Sequence, residues 1–437
     1  MSKMKQKESN MRKMKQKVVI VLSRLGGTAV GVAKMMLVGL VGFGTLTSEA
    51  TDRYVSSSGT NDIGNGYNTW NGAATAIQPA IDVCADGDVV WVEDGFVCNT
   101  GGVTNWPAGT ILTNRIAITK AITVRSVNDD PTNTKILGAW DTNTTCGATS
   151  VRCVYMADNA KLIGFTLADG STMRTNESAV TYDGYGGGIY AVNSSAIISN
   201  CVITGNAATR GGGGAYRGTY YSTEVSNNST LDDMKYPNGA GLLSGTAYNC
   251  KIIHNRGKTS EGTSGGCGGG GAFGSTLYNC LVIGNEAAFG GGVSGVNTFN
   301  CTIVGNKSYT WGSGAFQGTH YNTIIYSNSP NNAKTPGDGI TFYNSCTTPA
   351  FDGWEDGNIT NNPAFVNWGS GYGVSLVEGD YRLTSVSPCI DAGMNGSWTT
   401  SGASAVDLDG NPRIVGTTVD MGAYELPPPL GTVIIIK

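Results

Sequence analysis

The chain is 437 residues long, with 65 glycines, only 14% charged residues and a formal net charge of −4. An apolar share of 40% excludes a disordered chain, so the glycines point to many tight turns around a large, repetitive β core. With two histidines in the whole sequence, His254 and His320, metal or triad chemistry built on histidine has little material.

Residues 1–50 have the layout of an export signal. They carry nine basic residues, then an apolar run at 35–46, then Ser48-Glu49-Ala50, which suits cleavage between Ala50 and Thr51. An apolar run of about 12 residues is too short to span a bilayer. The leader holds nine of the 28 basic residues and two of the 32 acidic ones, so the remainder has a net charge of −11. Such an acidic chain is a poor partner for nucleic acid or an anionic membrane. A secreted or cell-surface location is expected, at a Gram-negative outer membrane or beyond it, with no transmembrane span in the mature chain.

The next elements are short strands. Residues 51–110 read as an N-terminal cap and first coil, and 111–346 as the main body, with strand-like runs at 115–119, 121–126 and 152–157. Eleven cysteines contain no C-x-x-C pair, which speaks against a zinc or thioredoxin-like site. Cys146 and Cys153, seven apart in a loop-like stretch, are the best candidates for a disulfide in an oxidising compartment.

A repeat then dominates residues 165–328. Its reference position holds Phe165, Cys201, Thr223, Cys250, Cys280, Cys301 and Thr323. Two residues later every copy is aliphatic, from Leu167 and Ile203 to Ile303 and Ile325, while the residue between varies freely. That alternation marks a strand with one buried face. Five residues after the reference stand Asn206, Asn228, Asn255, Asn285, Asn306 and Asn328, and two before it stand Tyr221, Tyr248, Tyr278, Phe299 and Tyr321. Glycine runs at 186–188, 211–214, 268–271 and 290–292 precede the reference and suit tight corners.

So short a strand cannot bury its face alone, and stacked copies at about 4.8 Å supply the neighbours. The shortest copies, 21 residues from Cys280 to Cys301, allow three short strands per coil. The predicted fold is an all-β, right-handed parallel β-helix of roughly nine or ten coils. Cys201, Cys250, Cys280 and Cys301 become small buried groups in one ladder, and the asparagines become another.

Functional candidates lie where the repeat is interrupted. Two consecutive coils carry long insertions, which brings Asp232, Asp233, Lys235, Tyr236, Arg256, Lys258 and Glu261 to one lateral patch. Residues 171–185 form a further insertion at the same corner. Tyr220, Trp311 and Phe316 are candidates for stacking on sugar rings, although packing is favoured for the tyrosines. His254 is expected to be exposed. The segment "DLDGN" at 407–411 looks like half a calcium loop, but Thr418 stands where a complete loop needs an acid, so a structural Asx turn is favoured.

Three stretches carry a family resemblance. "TAIQPAIDVCADGDVVWVEDGF" at 75–96 resembles the entry of secreted pectate-lyase-like β-helix proteins. "GDYRLTSVSPCIDAG" at 379–393 and "DLDGNPRIVGTTVDMGAYE" at 407–425 resemble the ending of bacterial β-helix repeat proteins of the choice-of-anchor type. The central repeat is similar to those of polymorphic outer-membrane proteins, in altered form. The resemblance implies an N-terminal capping helix with Ile77, Ala80, Ile81 and Cys84 on its inner face. It also implies a C-terminal coil or cap region at 347–426 before a proline-rich tail at 427–437. It is specific for architecture and export and says little about activity.

Function is therefore expected to be non-catalytic binding of a polysaccharide or another cell-surface component by a monomer, in the manner of an adhesin. The alternative is a polysaccharide lyase or glycoside hydrolase acting on an acidic polysaccharide, with Lys or Arg as base and calcium as the one cofactor it would bring. A structural spacer, a rod of about 50 Å, is the third reading.

Overall fold

A computed structural model describes residues 50–173, 182–231, 238–257, 259, 268–333, 339–350, 357–399 and 402–427. The chain winds as a right-handed parallel β-helix whose strands fall into three sheets. Sheet A has eleven strands, from Asp52–Val55 to Ile340–Tyr343. Sheet B has ten, from Val97–Cys98 to Cys346–Thr347, and sheet C has eight, from Thr113–Ile118 to Ala315–Phe316. Three coils, those of the sheet B strands Val97–Cys98, Lys135–Leu137 and Cys346–Thr347, escape the sequence repeat. In the last one, Ser345 replaces the usual Cys or Thr, and its hydroxyl accepts the amide of Thr323 at 3.1 Å as its counterparts do.

In-register stacking turns each repeat position into a column. Ile203, Val225, Ile252, Val282, Ile303 and Ile325 are register partners in sheet B and all lie in the core. Beside them, Asn206 donates from Nδ2 to Oδ1 of Asn228 at 2.9 Å, and the same bond recurs through Asn255, Asn285, Asn306 and Asn328 at 2.9–3.0 Å. Each Oδ1 also accepts the backbone amide of the preceding ladder residue, so buried polar groups are satisfied along the stack.

The residue before most reference positions is asparagine, for a different reason. Asn200, Asn249, Asn279, Asn300, Asn322 and Asn344 have φ between 45° and 53°, in the left-handed region that asparagine tolerates. That corner turns the chain from sheet A into sheet B. At a second corner Gly271 is obligatory, because a Cβ there would meet the carbonyl oxygen of Gly292 at 2.6 Å. The reference thiols donate to the carbonyl two residues back, at 3.2 Å for Cys201, Cys250 and Cys280 and 3.4 Å for Cys301.

Helix α1, Ile77–Asp82, closes the N-terminal end. Ile77, Ala80 and Ile81 are buried in the main core with Cys84. Its N-cap, Ala76, offers no side-chain bond, so packing rather than capping holds this short helix.

The C-terminal segment runs back along the outside of sheet B. Phe365–Asn367 and Asp380–Leu383 pair as an antiparallel ribbon. With Leu376, Met421, Ala423 and Tyr424 it forms a second apolar cluster against Leu281, Ile283, Val304, Ile324 and Cys346, on the outer face of sheet B. Backbone bonds fasten it, from Gly373 to Gly305 and from Gly422 to Asn322, each 2.8 Å. Within it Arg413 pairs with Glu425 at 3.1 Å, both fully buried. Burial pushes the Glu425 carboxyl up to about 8 against the pull of Arg413.

The Cys146–Cys153 pairing is not formed. Cys153 is a free thiol turned into the core, donating to the carbonyl of Ala168 at 3.2 Å, whereas the Cys146 sulfur accepts from the hydroxyl of Ser171 at 3.2 Å. The loop-like reading of this stretch overlooks that Cys153 falls within the strand-like run at 152–157, on a strand of sheet C with its side chain inward.

Candidate functional site

Where the C-terminal segment ends its cover of sheet B, an open cleft of about 740 Å³ begins. Its floor is the outward column of sheet B, where Val202, Glu224 and Lys251 are register neighbours on successive strands. Asn200, Ser222 and Asn249, from the left-handed corner, form its shoulder. Asp129, Asp130 and Pro131 make one wall, and the turn Val406–Gly410 makes the other.

Most of the acids here hold the walls together. Asp129 accepts from Nε of Arg125 at 3.0 Å, and Arg125 in turn lies over the Trp91 ring at 4.7 Å. Asp130 accepts the amide of Thr132 at 2.9 Å and its hydroxyl at 2.5 Å, bonds that hold its carboxyl below the usual range. Asp407 accepts the amides of Asp409, Asn411 and Glu425 at 2.7–3.0 Å, which makes the "DLDGN" stretch an Asx-type turn. Asp409 is clamped by Arg382 at 2.6 and 2.8 Å. Glu224 and Lys251 enter no ion pair among the described residues, and they are the two charged groups of the floor. Among the described residues, no group of three or more His, Cys, Asp or Glu side chains is placed to hold a metal ion.

Of the lateral patch read from the sequence, Asp232, Asp233, Lys235, Tyr236, Lys258 and Glu261 lie outside the described residues. Arg256 is 58% exposed, with Nε 4.0 Å from Oε1 of Glu286. Glu286, which the repeat pattern did not single out, is buried and accepts the Tyr309 hydroxyl at 2.5 Å and the Val374 amide at 3.5 Å. It ties the solenoid to the C-terminal segment.

The aromatic candidates separate as well. Tyr220 is wholly buried, its hydroxyl donating to the Arg217 carbonyl at 2.5 Å, so it cannot meet a sugar. Trp311 is 51% exposed. Tyr221, Tyr248, Tyr278, Phe299, Tyr321 and Tyr343 stack on the outside of sheet A with centroids 4.7–5.1 Å apart. Stacking uses up the ring faces and leaves only edges for a ligand, so this column is packing. His254 is not exposed as expected. It occupies a left-handed corner at φ 53°, and a Cβ on Gly284 would lie 2.3 Å from its Cδ2. His320 is fully buried against Thr298, and burial pulls it down to about 3.

The cleft was hidden in the sequence because residues far apart in the chain form its walls. One signal was present. The outward column reads Val202, Glu224, Lys251, then Leu281, Thr302, Ile324, so the charged positions stop where the cover begins.

No family model and no curated protein matches the sequence. Among solved structures the chain is similar to the pectate lyase Pel9A, with a TM-score of 0.53 and 13% identity over 87% of this chain and 98% of that one. It also aligns with a rice weevil pectin methyl esterase, with a TM-score of 0.28 and 12% identity over 70% of this chain and 90% of that one. At 13% identity, the first likeness shows a pectate-lyase-like solenoid fold and nothing of activity.

Proposed function

We propose that this protein is an exported, monomeric β-helix protein that binds a glycan along the open half of sheet B without cleaving it. The observation that carries the reading is the cleft itself: an open trough of about 740 Å³ whose shoulder and floor offer Asn200, Ser222, Glu224, Asn249 and Lys251. Amide and hydroxyl groups at the corners, beside charged groups on the strands, suit the hydroxyls of an extended sugar chain. The net charge of −11 outside the leader favours a neutral or amino-sugar chain over a polyuronate, which would be repelled. Among the described residues no helix is long and apolar enough to cross a membrane.

One specific observation favours the lyase alternative. Lys251 and Glu224 are adjacent on the floor, a base beside an acid. The two readings part on a direct assay. The full chain is incubated with neutral, amino-sugar and uronate polysaccharides, with and without calcium. Binding to a neutral or amino-sugar chain with no unsaturated ends is the expected result. Unsaturated product that disappears in Lys251→Ala would replace binding with catalysis, and no binding to any of them would leave a spacer.

A further inference from the structure

Ten of the eleven cysteines lie among the described residues, and all ten are buried. Most stand in the lumen, but Cys346 and Cys389 meet outside it. Cys346 is on the outward face of the last strand of sheet B, and Cys389 is in the C-terminal segment that covers that face. Both are fully buried in the same apolar cluster, and their thiols are in side-chain contact. We propose that Cys346 and Cys389 are a disulfide site that locks the C-terminal segment onto the last coil in an oxidising compartment. The proposal stands on the fold and does not depend on the glycan reading.

Geometry separates this pair from the lumen thiols. Cys250, Cys280 and Cys301 follow one another in an in-register parallel stack, so their Cα–Cβ vectors run side by side about 4.8 Å apart. A disulfide needs Cβ atoms about 3.5–4.5 Å apart and converging, which parallel neighbours do not provide. Cys346 and Cys389 come from a strand and from a turn in a separate layer, so no such parallel constraint holds them apart. The Cys346 thiol also donates to the Asn361 carbonyl at 3.2 Å, which places it at the seam between solenoid and cover.

The chemistry balances with glutathione disulfide as oxidant. Two thiols lose two protons and two electrons, one S–S bond forms, and the oxidant leaves as two thiols. Contact with Cys389 and burial hold the Cys346 thiol well above its usual range, so little thiolate exists once the segment has docked.

The test refolds the full chain with glutathione disulfide, digests it without reduction and maps the peptides by mass spectrometry. The expected result is one linked peptide joining Cys346 to Cys389, two hydrogens lighter than its parts and absent after reduction. Limited proteolysis should be slower for oxidised than for reduced protein, and Cys389→Ser and Cys346→Ala should each lose that difference. Alkylation of both residues after oxidation and denaturation would overturn the proposal, as would links from either one to a lumen cysteine.

Discussion

The outer face of sheet B is one continuous surface with two characters. Over its first coils the outward column runs Lys135, Thr166, Val202, Glu224, Lys251, and the cleft opens there. Over its last coils the same column runs Leu281, Thr302, Ile324, Cys346, buried under the C-terminal segment. The inward columns do not change across this boundary. The backbone and lumen are thus a uniform scaffold, and what stands on the outward positions decides whether a coil is covered or left open.

The comparison is broken most severely by placing a charge in the covered half. Ile324→Asp buries an unpaired carboxylate in the second apolar cluster and should cost at least about 4 kcal/mol. Thermal unfolding would show it as a large fall in Tm, and limited proteolysis as early release of residues 363–426. A smaller loss, near 1 kcal/mol, would mean that the cover is loosely attached.

Lumen substitutions sharpen the comparison because they should ignore it. Asn285→Ala, under the cover, and Asn228→Ala, under the cleft, each break two ladder rungs, one on either side, and orphan buried amides. Both should cost about 2–3 kcal/mol in denaturant unfolding, with little difference between them.

The cover should also carry its own pH dependence. The Glu425 carboxyl, raised by burial, binds its proton more tightly in the folded chain than in the unfolded one. Its contribution is fully present below the ordinary value of 4.5 and is lost as pH rises through about 8. Unfolding measured from pH 5 to 8.5 should show a loss on the order of 2 kcal/mol, and Glu425→Gln should flatten it. A rise in stability over that window would mean that Arg413 outweighs desolvation.

In the open half the smallest stability effect is expected. Lys251→Leu copies the covered half's residue onto the cleft floor and should change stability by no more than about 0.5 kcal/mol.

Much of this architecture could be read from residue columns alone. Asn285 over Asn306, the aliphatic residues two places after each reference and the inner face of α1 all follow from local pattern and strand stacking. The cover was not readable because it is a contact between distant segments. The outward position looked unconstrained while only its variability was considered, although its turn from Lys251 to Leu281 was the trace of that contact. The corner asparagines owe their place to a left-handed φ, which the aliphatic and asparagine columns do not reveal. The copy of the repeat in the last coil went unrecognised because Ser345 fills a cysteine's place. Cys153 was misjudged because its strand-like run, 152–157, precedes the legible repeat, so no column showed that its side chain points inward.

The central claim is that the open half of sheet B holds a glycan. Titration calorimetry with neutral and amino-sugar oligosaccharides, comparing the unaltered chain with Lys251→Ala, tests it most directly. The account predicts at least about a tenfold loss of affinity, near 1.4 kcal/mol, at an unchanged Tm. Equal affinity in the two proteins would place the ligand elsewhere and contradict it.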